Sequence, residues 1–323
     1  MQKKVIGIDI GGTSTKFGVV SDGKIISRGE IPTCLNDDPQ DFVNRLRNCF
    51  PNISGVQSLG VGAPNGNFYR GTIEHAPNLQ WKGIVPMAAM LEKSFGLPCA
   101  LTNDANAAAQ GEMTYGGAKG MKNFIYITLG TGLGSGIVVN GEVVLGHSGF
   151  AGEVGQVIAV PNGRLCGCGR RGCLETYVSA NGLVKTVEEL LQTDNGKSVL
   201  NKNAVNELTA EKVSIAAEQN DELALKAFKI TSEMLGIALA NAVSFTSPEA
   251  IFLFGGLARS GHLLFDPTIK EFNRNLHIVY QGTVIILPSG LPSGDAAFLG
   301  QNLSQIQADK VKTLKMSHVK LGT

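Results

Sequence analysis

One short signature occurs twice in this chain. Residues 12–26 read GTSTKFGVVSDGKII and residues 130–144 read GTGLGSGIVVNGEVV, sharing G-T-x4-G-[VI]-V-x-[DN]-G-x-[IV]-[IV] with Gly12 falling on Gly130 and Asp22 on Asn140. In each copy a β-rich run passes through a glycine loop into a second run. That run then turns at Asp-Gly or Asn-Gly, the pairs that supply the two positive φ angles of a type I′ hairpin. Any two glycine-flanked hairpins share some of this. Agreement of two turns, two Gly-Thr pairs and the apolar register at one offset favours duplication, so two related α/β halves are expected, with their loops facing across a central cleft. One difference stands out: Asp9 of the first copy meets Ile127 in the second.

Composition narrows the class. Glycine numbers 41 of 323 residues, nearly twice the ordinary share of roughly 7%. Such an excess fits a disordered chain, a collagen-like repeat or a globular enzyme with backbone-built ligand loops. The 43% hydrophobic content and 12 prolines, with no three-residue period, exclude the first two. Lys and Arg total 28 against 27 Asp and Glu, a formal charge of +1, so no nucleic-acid partner and no anionic membrane surface is expected. No apolar run reaches the ~18–20 residues of a membrane span, and Lys3-Lys4 lead into VIGIDIGG rather than a secretory leader. A cytoplasmic protein is the expectation. Of six cysteines, Cys166, Cys168 and Cys173 cluster, which suits metal ligation better than a disulfide framework.

Strands are expected at 5–10, 15–20 and 24–31, then a helix at 39–50, a strand at 58–62, a helix after Pro86, a strand at 98–102 and an alanine-rich helix from Asn103. The second half restarts with strands at 124–129, 134–139 and 142–145. Helices follow at 183–191, 210–219 and 222–243, strands at 250–254 and 283–287, and a helix start at 295–300. Alternating strands and helices indicate α/β architecture. The domains are expected at 1–118 and 119–299, with 300–323 joining the first.

Three glycine loops carry the chemistry. DIGGTSTK (9–16) offers close backbone approach and hydroxyl donors, which suits phosphate. It is neither a P-loop nor a dinucleotide fingerprint, and a plain tight hairpin is the bland alternative. Asp9, at the strand end, is placed to hold Mg²⁺. LGTGLGSG (129–136) repeats the loop without the carboxylate, and FGGLARSG (254–261) is a third strand–glycine turn. Thr102-Asn103-Asp104-Ala105-Asn106 marks a strand handing over to a helix. Capping explains one such polar residue; Asp104 is read as a general base and Asn103 as a substrate contact, with the helix N-terminus favouring the ionised carboxylate. Cys166-x-Cys168-Gly-x-x-Gly-Cys173 has the spacing of a zinc knuckle one ligand short of four; free structural thiols are the alternative.

These motifs, in this order from Ile6 to Gly300, resemble the ROK family (repressors, open reading frames, sugar kinases) of the actin–hexokinase–heat-shock ATPase superfamily. The resemblance implies two RNase H-like domains closing over ATP·Mg²⁺ and a hexose, and a homodimer. It implies Asp104 as the base on the sugar 6-hydroxyl, and Gly66, Asn78, Asn103, Glu153, Gln156 and Glu175 around the sugar. Asp9, Gly11, Gly12, Thr13, Lys16, Gly130, Thr131 and Gly132 would cradle phosphate and magnesium, and Gly255-Gly256 the adenosine. Where the family motif reads GExGH, with a histidine that ligates zinc, this chain has Gln156, and a neutral amide oxygen is a poor zinc ligand. A second departure is Asn65-Gly66 in place of Pro-Gly. The expected activity is ATP-dependent phosphorylation of glucose. N-acetylmannosamine, N-acetylglucosamine, fructose or allose are alternative acceptors, and a sugar-sensing transcriptional regulator is the alternative of another class.

Overall fold

The computed structural model describes residues 4–21, 24–33, 38–193, 197–200 and 207–291. The Asp22-Gly23 turn, the expected helix start at 295–300 and the expected joining segment 300–323 lie outside the described residues. The described residues form two compact units: those within Met1–Gly120, with Val143–Gly152 and Gly290–Leu291, and those within Met121–Glu142 and Glu153–Ser289.

In the first unit β1 (Lys4–Ile10), β2 (Ser14–Ser21) and β3 (Lys24–Pro32) form an antiparallel meander. After α1 (Pro39–Asn48), strand β4 (Val56–Ala63) pairs parallel to β1. The short strands β5 (Gly66–Asn67), β6 (Thr72–Glu74) and β7 (Ile84–Val85) make a separate sheet. Helix α2 (Met87–Phe95) leads to β8 (Cys99–Asn103), parallel to β4, and α3 (Asp104–Tyr115) follows directly. The main sheet runs β3-β2-β1-β4-β8. All six residues of β4 from Ser58 to Ala63 are buried, as a parallel strand covered on both faces requires. Ile6, Ile8 and Ile10 join Phe42, Leu46, Leu59, Met87 and Leu91 in its core.

The second unit repeats that order. Strands β9 (Phe124–Leu129), β10 (Leu133–Val139) and β11 (Glu142–Val143) precede helices α4 (Ala180–Leu191), α5 (Ala210–Glu218) and α6 (Glu222–Thr246). Then come β12 (Ala250–Phe254), α7 (His262–Asn275) and β13 (Ile285–Pro288), in a sheet ordered β11-β10-β9-β12-β13. First, second, third, fourth and last main strands occupy equivalent places in both sheets. Asn140 and Gly141 have φ of 54° and 78°, the left-handed pair that a type I′ turn needs. The loops are not identical, however. Ile10 pairs with Thr15 but Leu129 with Leu133, so the second loop is tighter by one residue. Among the described residues no helix is long and apolar enough to cross a membrane.

Several elements differ from expectation. Strand β11 stops at Val143 rather than reaching residue 145, and β5 to β7 are too short for a periodic pattern. Helix α7 has no counterpart among the expected elements, and it contains Pro267, which removes an intrahelical donor. Packing on α6 offsets that loss: a β-carbon at Gly236 would lie 2.8 Å from the Thr268 carbonyl oxygen and 2.8 Å from the Phe272 nitrogen, so the two backbones nearly touch. Alanine ordinarily stabilises a helix by ~1 kcal/mol over glycine, yet here the added methyl meets backbone, and overpacking costs typically 1–3 kcal/mol. Gly236→Ala is therefore expected to lower the melting temperature by several degrees; calorimetry showing a raised one would contradict the close approach.

Candidate functional site

In the first unit the candidate residues gather where β1, β4 and β8 end. Asp9 pairs in register with Gly62, and Gly62 with Thr102, so Asp9 and the Asn103-Asp104 step lie at one edge of the parallel strands with a glycine between them. That edge is where α/β sheets bind ligands. On its antiparallel side Asp9 faces Lys16. Burial, and then the nearby Asp104 carboxylate, raise the Asp9 pKa to about 7 against the opposing pull of Lys16.

Asn103 is the N-cap of α3, and its Oδ1 accepts from the Ala105 N–H at 2.8 Å; Asp104 Oδ1 accepts from the same N–H at 2.8 Å. Capping therefore accounts for Asn103. The helix N-terminus was expected to favour the ionised Asp104, and the result is the reverse. Burial raises its pKa above the ordinary carboxylate value despite the lowering effect of the Ala105 and Asp104 backbone N–H groups, because desolvation outweighs those hydrogen bonds.

The remaining first-unit residues collect around this edge through backbone contact. A β-carbon on Gly12 would stand 2.7 Å from the Asn78 carbonyl oxygen, which brings the Gly11-Gly12-Thr13 loop against Asn78. Asn78 and Thr13 are exposed, while Trp81 is buried, with its ring 5.0 Å from that of Phe42. Gly66 rests on the Thr102 carbonyl with no room for a side chain. It serves as the contact that seats β5 on β8, immediately before Asn103. The preceding Asn65, at φ 50°, donates to the Glu74 carbonyl at 3.0 Å.

In the second unit Gly130, Thr131 and Gly132 bridge β9 and β10, closed by a 3.1 Å bond from the Gly130 N–H to the Gly132 carbonyl. Gly255, at φ 107°, lies against the Leu129 carbonyl, so the Gly255-Gly256 turn sits beside this loop where parallel β9 and β12 end. Gly132 faces Glu175, whose Oε2 is 2.9 Å from where a β-carbon would stand. Glu175 Oε1 accepts from Gln156 Nε2 at 2.9 Å and from the Cys166 thiol at 3.0 Å. Glu153 is exposed and directly precedes the short 3-10 turn Val154–Gln156.

Beside them the sulfurs of Cys166, Cys168 and Cys173 all lie within 4.8 Å of one another, the one such cluster among the described residues. Soft thiolates in that arrangement suit zinc. Gln156 Oε1 is 3.6 Å from Cys166 Sγ, so the amide stands where the expected fourth ligand is missing. Two arginines that local sequence patterns do not reveal organise this region. Arg170 donates to the Gln156 carbonyl at 2.8 Å. Arg164 donates to the Thr176 and Gly182 carbonyls, at 2.7 and 3.1 Å, and pairs with Glu189 at 2.6 Å while covering the Tyr177 ring.

Known proteins resemble this chain over most of its length. The chain is 36% identical over 278 residues to a glucokinase of Streptomyces coelicolor, covering 83% of this chain and 87% of that one. It is 34% identical over 291 residues to a putative xylose repressor of a Caldicellulosiruptor species, covering 87% and 71% respectively. The crystal structure of a ROK family glucokinase from Streptomyces griseus, in complex with glucose and AMPPNP, superimposes with a TM-score of 0.79 at 33% identity, covering 94% of this chain and 99% of that one. The expected α/β fold with two RNase H-like units is thereby borne out. A model of the ROK family matches residues 5–302, and the chain belongs to that family.

Proposed function

We propose that this protein is an ATP-dependent sugar kinase that transfers the γ-phosphoryl group to the 6-hydroxyl of a hexose, with glucose the preferred acceptor. The observation that carries the reading is the shielded Asp9–Asp104 pair at a parallel strand edge beside a glycine loop, in a chain 36% identical to a glucokinase. Phosphoryl transfer needs positioning, charge neutralisation and a group to take the acceptor proton. Asp104 is the base: burial raises its proton affinity, which makes it a stronger acceptor for the hydroxyl proton. Asn103, Asn78, Glu153, Gln156 and Glu175 orient the sugar, and the loops at Gly11–Thr13 and Gly130–Gly132 receive the phosphates.

The donor chemistry fits magnesium. A carboxylate oxygen suits a hard cation, and the repulsion between Asp9 and Asp104 is what a divalent ion relieves, so Asp9 is the residue that holds it. Bound Mg²⁺ supplies charge neutralisation on the phosphates. The three thiols fit structural zinc, with Gln156 leaving the site weaker than a histidine would. A cytoplasmic homodimer remains part of the proposal. The second reading, a sugar-responsive regulator, is motivated by the 34% identity to a putative repressor.

A turnover panel over glucose, mannose, fructose, allose and the N-acetylated hexosamines tests the reading. Glucose is expected to give the highest kcat/KM, and binding without turnover for every sugar would favour the regulator. In the same assay Asp104→Asn is expected to cut kcat by roughly 10²–10⁴ while hexose still binds; retained turnover would remove the base assignment. Metal analysis after zinc-replete expression should find about one zinc per chain, and Gln156→His should tighten it; metal-free protein in both cases would rule out the site. The pH dependence follows from Asp9. A carboxyl raised from 3.8 to about 7 stays protonated until neutrality, so its contribution to stability is lost as pH rises through 7, while magnesium needs the ionised form. Mg-nucleotide affinity is expected to increase between pH 6 and 8, and Asp9→Asn to flatten that profile in calorimetric titrations.

A further inference from the structure

The two glycine-rich loops at the ends of β1 and β9 share a feature that their sequences do not display: a carbonyl held from behind. In the second loop the Gly130 carbonyl accepts from the backbone N–H of Ala180, the first residue of α4, at 2.8 Å. In the first loop the equivalent grip comes from a side chain. Thr33, wholly buried just past β3, donates from Oγ1 to the Gly11 carbonyl at 2.7 Å, and its own N–H donates to the Thr13 carbonyl at 2.9 Å. A threonine hydroxyl has one proton and a carbonyl has none. The proton of Thr33 is thus committed to Gly11, and the 2.9 Å contact between Thr15 Oγ1 and Thr33 Oγ1 is donated by Thr15. Arg45 completes the support by donating to the Pro32 and Thr33 carbonyls at 2.8 and 3.1 Å.

The consequence comes from peptide planarity. In a trans peptide the C=O of one residue and the N–H of the next point in opposite directions, and the described residues contain no cis bonds. Turning the Gly11 carbonyl inward to Thr33 turns the Gly12 N–H outward, just as the Ala180 bond to Gly130 turns out the Thr131 N–H. We infer that Thr33 is a positioning residue for phosphate: its hydroxyl sets the Gly11–Gly12 peptide plane and with it the direction in which the Gly12 amide meets a phosphate oxygen. The inference rests on the nucleotide-binding reading proposed above.

The test compares wild type with Thr33→Val, which keeps the shape but deletes the donor, and Thr33→Ser, which restores it. The readouts are calorimetric binding of Mg-AMPPNP, separate KM values for ATP and hexose, and thermal melting. Thr33→Val is expected to weaken nucleotide binding about tenfold, ~1.4 kcal/mol, and to raise KM for ATP in parallel, with KM for hexose unchanged and Thr33→Ser close to wild type. Equal nucleotide affinity in wild type and Thr33→Val would overturn the inference alone. So would a parallel loss of hexose and nucleotide binding, which marks a merely structural role. Wild-type protein that binds no nucleotide would overturn the proposed function and this inference with it.

Discussion

A peptide carbonyl turned into the protein at the end of a β-strand must find a donor, because an unpaired buried backbone group costs about as much as a lost hydrogen bond. At the ends of β1 and β9 that requirement organises the candidate site. The loop after β1 is held by Thr33 from the end of β3, and the loop after β9 by the first N–H of α4. In both cases a distant segment satisfies the carbonyl, and peptide geometry then presents the following amide on the opposite side. The glycines remove side chains from the approach, and the donors behind them decide which way each loop faces. Similar reasoning explains Gly66 and Gly255, each resting on the carbonyl of a strand end.

The same edge imposes an electrostatic constraint. Where the parallel strands terminate, burial makes both Asp9 and Asp104 hold protons more tightly than free carboxylates, and for Asp9 the Asp104 carboxylate adds to the effect. Lys16, paired across β2, relieves only part of this. Counted back from the strand ends, Asp9 falls on Thr128 of the second copy, whose Oγ1 accepts from the Gly134 N–H at 3.1 Å. The two sheets thus share one topology, with a carboxylate at this strand end in the first and a hydroxyl in the second.

Much of this was legible from local pattern. The strand–loop–strand hairpins, the turn at Asn140-Gly141, the helix beginning at Asn103-Asp104 and the cluster of three thiols all follow from rules that span a few residues, and strands β9 and β12 occupy the expected ranges. Legibility failed where local signals mislead or vanish. Helix α7, which contains Pro267, is not among the expected elements, and close packing on Gly236 sustains it. Asp104 reads as favoured in its ionised form by a helix terminus, although burial dominates. Arg164 and Arg170, which fasten the cysteine region, bond to groups that become neighbours only when the chain folds.

The sequence by itself determined the family, the α/β class, the paired hairpins and the residue types at the strand ends, because turn dihedrals, helix capping and ligand spacing act over short stretches of chain. Only the tertiary structure decided the shared sheet order, the raised proton affinity of Asp9, the bond between Gln156 and Glu175 and the hold of Thr33 on Gly11. Each of these depends on desolvation or on hydrogen bonds between residues well separated along the chain, and their magnitude is set by packing around them rather than by their neighbours in sequence.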